Sequence, residues 1–196
     1  YNGIQEKLFA QVTKLLQERG LLLKKGTIVD STLISAPLST KNAEKKRDPE
    51  AHSTKKGNNW HFGYKARIGV DKDTGLVHTL KVTAANVHDV TMTSQLLSGE
   101  EQAVYGDSGY LGAEKREDAV LRSQDGKKIH SKAQIKLRER EKSSVRAKVE
   151  HVFAVVKDRF RYQKTRYRGL LKQTAKLNMV FALANLVLAD RSCLLA

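Results

Sequence analysis

The sequence predicts an α/β protein in which a mixed β-sheet is flanked by helices. Two observations predict this class. Strand-like segments able to pair as an antiparallel hairpin come first, and further strand-like segments then alternate with segments of helical periodicity. The chain has 196 residues, 40% of them hydrophobic, which is enough for one sizeable core.

The first predicted elements are a helix and a buried strand. Apolar residues recur at helical spacing over residues 4–18, and Gly20 offers a stop. The segment TIVDSTLIS (27–35) is rich in β-branched and apolar residues, which predicts a buried strand. Residues 36–59 are polar and rich in Lys, so they predict a functional or mobile loop that is too long for a tight connection.

A hairpin follows in the predicted order. The segments FGYKARIGV (62–70) and LVHTLKV (76–82) have strand character, and the turn sequence DKDTG joins them. Asp71 and Asp73 are therefore interpreted as turn residues rather than metal ligands.

The rest of the chain alternates between helical and strand-like segments. Helices are predicted at 89–98, at 112–122 and from 132 onward, and short strands at 103–107 and 127–131. Asp89 is the predicted N-cap of the first of these helices. The most apolar stretch, LNMVFALANLVLA (177–189), is too short to span a bilayer and predicts a buried core helix. This order is compatible with a ribonuclease H-like fold and also with other α/β folds.

The net charge of +15 is concentrated in one part of the chain. Between residues 127 and 172, Lys and Arg outnumber Asp and Glu by 16 to 4. Such a concentration favours a polyanionic partner, most often nucleic acid, and a solvated basic surface is the alternative. Cys193 is the only Cys, which excludes an internal disulfide framework and a zinc site with several Cys ligands.

Three carboxylates stand in unusual positions. Asp30 interrupts an apolar strand, although Asp is disfavoured in strands and rarely buried without a partner. Asp107 ends the strand-like run AVYGD and is flanked by glycines, where a turn or a cap would be the ordinary explanation. On the predicted last helices, Glu150 shares a stripe beside the apolar face with Arg146 and Lys157. Arg146 and Glu150 are four residues apart, so helix ion pairing is an alternative for that pair.

Two Asp on strands and one Glu on a helix form a set of oxygen ligands. Hard divalent ions such as Mg²⁺ take these ligands. Two such ions can activate an attacking oxygen and stabilise a leaving oxygen in phosphoryl transfer. The basic C-terminal third would then hold the phosphodiester backbone near the ions.

The motifs that carry these residues resemble a known family. VDSTLI carries Asp30, VYGDSGYLG carries Asp107, and RAKVEHVFAVVK carries Arg146, Glu150 and Lys157. Together they resemble transposases of bacterial insertion sequences with an Asp-Asp-Glu triad, in the group whose third motif reads Tyr-x2-Arg-x3-Glu-x6-Lys. The resemblance covers roughly residues 25–190.

The resemblance implies a ribonuclease H-like catalytic core with a mixed sheet flanked by helices. It implies that Asp30, Asp107 and Glu150 are catalytic and bind Mg²⁺ or Mn²⁺, as two ions, with Arg146 and Lys157 as accessory residues. The implied reaction is cleavage of transposon ends, followed by attack of the freed 3′-OH on target DNA. The sequence departs from the third motif at one position, because Ser143 stands where the family has Tyr.

The resemblance also implies partners and a location. The implied partners are transposon-end and target DNA and further copies of the chain, with no membrane, in the bacterial cytoplasm at the nucleoid. Predicted DNA contacts are Lys65, Arg159, Arg161, Arg166 and Arg168. Tyr162 and Tyr167 alternate with these arginines, a pattern that suits base stacking beside phosphate contact. Trp60 is assigned to packing rather than stacking.

The predicted organisation has three parts. Residues 1–25 hold an N-terminal helix, interpreted as the remnant of an upstream region, because the chain starts without Met. Residues 26–190 form the catalytic domain, and 191–196 form a tail. Two other functions stay open: a related ribonuclease H-like nuclease that only hydrolyses nucleic acid, and a basic DNA-binding protein without catalysis.

Overall fold

A computed structural model describes residues 2–99, 101–106, 110, 144–145 and 147–191 of the chain. Within these residues five strands form one mixed sheet flanked by helices, which confirms the predicted class. The elements are, in chain order, α1 (Ile4–Glu18), β1 (Gly26–Ser35), β2 (His52–Lys56), β3 (Asn59–Asp71), β4 (Val77–Ala84), a 3₁₀ helix (Asp89–Leu96), β5 (Ala103–Tyr105), α2 (helical over 147–154 and continued by a π-helical turn, Val155–Arg159) and α3 (Leu170–Arg191).

Strand β1 lies between β3 and β5 in the sheet. It pairs with β3 in antiparallel orientation and with β5 in parallel orientation. Strand β3 is the longest and also pairs with β2 and β4 on its other side. Among the described residues, β5 pairs only with residues 26–28 of β1, so a polar residue in the middle of β1 is held by its pairing with β3, which fixes the direction of its side chain.

Helices α1 and α3 cover one face of the sheet. Phe9, Val12 and Leu16 of α1 join Leu177 and Phe181 of α3 in the main hydrophobic core. The predicted core helix at 177–189 is confirmed as part of α3. No helix in the described part of the chain is long and apolar enough to cross a membrane.

A buried amide explains the Asn in the middle of this apolar helix. Asn185 of α3 accepts a hydrogen bond from the Val77 N–H at 2.8 Å and donates one to the Val77 carbonyl at 2.7 Å. Both partners lie at the start of β4, so the amide satisfies two backbone groups and fixes α3 to the edge of the sheet.

The prediction of one long loop at 36–59 is wrong in its last part. Residues 52–56 form β2, which pairs with the start of β3 around a turn at Gly57 and Asn58. At the base of this hairpin, a Cβ on Gly63 would lie 2.1 Å from the Ile34 carbonyl oxygen. Glycine at this position lets the backbones of β1 and β3 approach closely, and the Ala36 N–H donates to the Phe62 carbonyl at 2.8 Å one residue beyond.

Two helical predictions need correction. Residues 89–96 form a 3₁₀ helix, and its N-cap is His88 without a side-chain capping bond, so the assignment of Asp89 as N-cap is wrong. The chain from 132 onward is not continuously helical, because residues 160–169 are irregular and separate α2 from α3. The helix predicted at 112–122 and the strand predicted at 127–131 lie outside the described residues.

The predicted domain boundaries at residues 25 and 190 stay predictions. Helix α1, assigned to the first part, packs against α3 and shares its core.

Candidate active site

Asp30 lies in the middle of β1, opposite Ile68 of β3. Its side chain is half-buried, and its Oδ1 accepts a hydrogen bond from the following N–H, that of Ser31, at 2.7 Å. The flanking Ile28 and Val29 are buried. The central strand thus presents one carboxylate from a rigid position.

Glu150 and Lys157 project from α2 and its π-helical turn. Their neighbours Val149, Val152 and Val156 are buried in the main core, which fixes the rotation of the helix about its axis. Glu150 is exposed and Lys157 is half-buried. The predicted stripe beside the apolar face therefore exists for these two residues.

One cleft brings the strand and the helix together. It has a volume of about 330 Å³ and is lined by Asp30, Ser31, Thr32, Lys56, Glu150, Phe153, Ala154, Lys157 and Asp158. Asp30, Glu150 and Lys157 were all selected from the sequence, and the structure places them in the same cleft. Asp107 and Arg146 lie outside the described residues, as does Ser143.

The register of β5 relates this cleft to the second Asp motif. Tyr105 of β5 pairs in parallel with Ile28 of β1. Tyr105 precedes Asp107 by two residues in the sequence, and Ile28 precedes Asp30 by two. Two of the three sequence motifs that contain the carboxylates are therefore carried by adjacent strands.

Two lysines, Lys56 and Lys157, line the cleft together with three carboxylates. Burial lowers the pKa of Lys157, and the nearby Lys56 ammonium lowers it further, while Asp158 and Glu150 act in the opposite direction. Two ammonium groups are held near each other beside carboxylates. Such an arrangement suits a phosphate that binds together with divalent cations, because the ammonium groups can contact the phosphate and the carboxylates the cations.

The side chains of the cleft that could bind a metal ion all do so through oxygen. Asp30, Glu150 and Asp158 supply carboxylates, Ser31 and Thr32 supply hydroxyls, and neither His nor Cys is among the lining residues. This set fits a hard divalent cation better than zinc or copper. Among residues that the structure describes, no group of three metal-ligating side chains is close enough to hold an ion.

The predicted DNA contacts divide into two groups. Arg159, Arg161 and Arg166 are exposed along the segment that leaves α2. Arg168 instead pairs with Glu44 at 2.9 Å and donates to two backbone carbonyls of the 46–47 segment. The Arg168 guanidinium thus holds the 44–47 segment against the start of α3.

Lys65 also makes contacts within the protein. Its ammonium donates to the Val87 carbonyl at 3.2 Å and pairs with Asp89 at 3.1 Å, and its side chain is 13% exposed. We therefore leave Lys65 out of the proposed DNA interface.

The aromatic assignments are partly reversed. Tyr162 is 3% exposed and its hydroxyl donates to Gln173, so the expectation that it stacks on bases is wrong. Trp60, which the sequence assigned to packing, is 71% exposed at the tip of the β2–β3 hairpin. Tyr167 is exposed, as that hypothesis requires.

Sequence reasoning missed the hairpin and its contribution to the cleft. Lys56 belongs to the polar segment 36–59 that the sequence predicts as a loop, but in the structure it lines the cleft from the end of β2. The signal was present in KKGNNW, because Gly-Asn between two strand-like runs is typical of a two-residue hairpin turn.

Comparison with known proteins bears on this cleft. A family model described as a transposase DDE domain matches residues 22–186, which include β1 through most of α3. No solved structure matches the chain.

Proposed function

The chain belongs to the transposase DDE domain family, and from this premise we propose that it cleaves DNA at the ends of a mobile element and joins the freed ends to target DNA. Family membership supports transposase activity and DNA binding in general terms. The proposed catalytic residues are Asp30, Asp107 and Glu150, with Arg146 and Lys157 as accessory residues.

A single observation carries the assignment of the site. Asp30 from the central strand shares one polar cleft with Glu150 and Lys157 from α2. Asp30 lies 120 positions before Glu150 in the sequence, and the sequence alone predicts a catalytic role for both. Chance would rarely bring the members of one catalytic motif to the same cleft.

Proteins of this family generally use divalent metal ions. We propose that Asp30, Asp107 and Glu150 hold two ions, Mg²⁺ or Mn²⁺, because the oxygen-rich lining of the cleft fits such cations. Ions bound there would supply activation of the attacking oxygen and stabilisation of the leaving oxygen.

The proposed reaction has two steps. In the first, the oxygen of a water molecule forms a bond to phosphorus at the element end and gives up a proton, the bond from phosphorus to the 3′ oxygen breaks, and that 3′ oxygen takes up a proton. In the second, the freed 3′ oxygen gives up its proton and forms a bond to phosphorus in target DNA, and the target's own 3′ oxygen leaves and takes up a proton. Both are displacements at phosphorus, so one cleft can serve both.

The protein's own groups position the DNA. Lys56 and Lys157 offer charge to the phosphate that enters the cleft, and the fixed β1 backbone orients the Asp30 carboxylate. Arg159, Arg161 and Arg166 extend the positive surface away from the cleft along the flanking backbone.

The test compares carboxylates of the same cleft. Asp30→Asn and Glu150→Gln should abolish Mg²⁺-dependent cleavage of element-end DNA. Asp158→Asn is the matched control, since Asp158 lines the cleft but lies outside the proposed triad. Cleavage by Asp30→Asn at the wild-type rate would refute the assignment, and equal loss in all three variants would show that only the charge of the cleft matters.

A second assay separates transposase from the related nuclease. A DNA end that is already cut, with a free 3′-OH, should become joined to target DNA in the presence of metal. Hydrolysis without joining would favour a nuclease, and metal-independent binding without cleavage would favour a DNA-binding protein. We also propose, from the family, a homo-oligomer acting on paired ends in the bacterial cytoplasm at the nucleoid.

A further inference from the structure

The β2–β3 hairpin has two faces of different chemistry. Directly opposed residues of an antiparallel pair project to the same side, and so do residues two apart along a strand. The pairs Lys56–Asn59 and Thr54–His61 therefore share one face, which we call the donor face. The alternate residues of both strands project from the opposite face.

The donor face borders the cleft. Lys56 belongs to this face and lines the cleft. Its ammonium is close enough to Lys157 to add to the lowering of the pKa that burial causes there. The opposite face carries Phe62, whose ring centre lies 5.9 Å from Cζ of Arg47. The two faces therefore meet different surroundings, and the donor face is the one that continues the surface of the cleft.

The chemistry of the donor face selects the class of ligand. Lys56 supplies an ammonium, Asn59 an amide, Thr54 a hydroxyl and His61 a ring N–H, and each of these groups can donate a hydrogen bond. Residues 52–63 contain neither Asp nor Glu, so the hairpin itself has no carboxylate that would repel an anion. The two pairs lie about 6.6 Å apart along the strands, which is the length of two residues. A ligand with anionic oxygens in a row can contact both pairs, as a phosphodiester backbone does.

These side chains are also accessible. Lys56 and Asn59 are exposed, and Thr54 and His61 are half-buried. Lys65 lies further along β3 and differs from them, because Val87 and Asp89 already accept hydrogen bonds from its ammonium.

We propose that the donor face of the β2–β3 hairpin binds the phosphodiester backbone of the DNA strand that enters the cleft. Lys56 contacts the phosphate nearest the cleft, and Thr54 and His61 contact the backbone further along the hairpin. This inference rests on the proposed function, since that function supplies the DNA. It adds three binding residues, Thr54, Asn59 and His61, and a path for the DNA outside the cleft.

Adding a charge to one face at a time tests the assignment. The full chain is titrated in EDTA into a fluorescently labelled DNA duplex at a series of salt concentrations, and anisotropy gives the binding constant K. Thr54→Arg places a new cation on the donor face, so the slope of log K against log salt should become steeper by about 0.9, the value for one further phosphate contact. Ser53→Arg is the matched control, because it adds the same charge one residue away on the opposite face, and it should leave the slope unchanged.

Removing groups from each face gives the complementary result. Lys56→Ala should make the slope shallower by about 0.9, and Lys55→Ala, its neighbour on the opposite face, should leave it unchanged. At pH 8, where imidazole is neutral, Thr54→Val and His61→Ala should each weaken binding by about 2- to 10-fold, the range for one hydrogen bond, without changing the slope. Circular dichroism checks that each variant is folded.

The outcomes distinguish this inference from the proposed function. Equal slopes for Thr54→Arg and Ser53→Arg would overturn the assignment of the donor face, even if Asp30→Asn still abolished cleavage. Wild-type affinity in both Thr54→Val and His61→Ala would overturn it as well. A steeper slope in Thr54→Arg alone, together with unchanged cleavage in Asp30→Asn, would support the donor face and refute the catalytic assignment instead.

Discussion

Replacing Asp89 by Asn separates two roles that this residue can have. As an N-cap, Asp89 would be exchangeable for Asn, which caps helices equally well. The structure instead shows its carboxylate accepting from Arg67 Nε at 2.8 Å and pairing with Lys65 Nζ at 3.1 Å. As a counter-ion it cannot be replaced by a neutral amide without loss.

The burial of Arg67 determines how much stability is lost when Asp89 is replaced. Its side chain is 0% exposed, so water cannot replace a lost carboxylate. Breaking a buried ion pair from one side costs about 3–5 kcal/mol, which we expect for Asp89→Ala. Asn keeps one acceptor, so Asp89→Asn should cost less, about 1.5–3 kcal/mol, the value of a hydrogen bond to a charged group. At about 2–4 °C per kcal/mol for a chain of this size, the Ala variant should melt roughly 6–20 °C below wild type.

Urea unfolding followed by circular dichroism measures the difference. The midpoint should fall while the slope with urea stays constant, because the native fold is retained. Asp73→Asn is the matched control, since Asp73 is half-exposed and its pair with Lys72 at 3.9 Å is worth about 0–1 kcal/mol. Wild-type stability in Asp89→Asn, with a loss of about 1 kcal/mol in Asp89→Ala, would restore the capping role and refute the ion pair.

Two further predictions concern protons and salt. Burial lowers the pKa of His78 to about 4, against the opposing effect of Glu101 and Asp71 and with a further lowering from Lys24. Between pH 6.5 and 4 the unfolded chain therefore takes up a proton that the folded chain does not. The free energy of unfolding should fall by roughly 3 kcal/mol as the pH drops through that window. Urea titrations at a series of pH values measure this fall, and His78→Gln should make it smaller. The exposed arginines should each contribute to the salt dependence of DNA binding. Replacing any one of Arg159, Arg161 and Arg166 by Ala should reduce the slope of log K for duplex DNA against log salt by about 0.9. Arg168→Ala should leave this slope unchanged because its guanidinium is paired with Glu44, and an equal change in slope would return Arg168 to the DNA interface.

The sequence predicted what depends on local pattern. The β-branched run around Asp30 gave β1, the periodicity at 4–18 gave α1, and the turn sequence DKDTG gave the β3–β4 hairpin. The apolar stripe on α2 also predicted that Glu150 and Lys157 would lie beside the core. Each of these depends on residues close in sequence, whose spacing repeats with the period of the element.

The errors arose where a distant partner decides the role of a side chain. Asp is a common N-cap residue, but the Asp89 carboxylate pairs with Lys65 and Arg67 of β3. Tyr162 alternates with arginines in the sequence, yet its hydroxyl donates a hydrogen bond to Gln173 of α3 inside the core. Trp60 is assigned to packing from the sequence, and the hairpin instead holds it away from the core. No local pattern encodes these contacts.

The pairing of like charges in the cleft connects these observations to function. Lys56 and Lys157 come from the hairpin and from α2, and each is brought to the cleft by its own element. Burial lowers the pKa of Lys157 most, the Lys56 ammonium lowers it further, and Asp158 and Glu150 act in the opposite direction, so the two ammonium groups repel each other within the cleft. A phosphate between the two ammonium groups would relieve the repulsion. A cleft that combines two ammonium groups with the carboxylates of Asp30 and Glu150 therefore supports the proposed function, in which phosphate and divalent cations bind together.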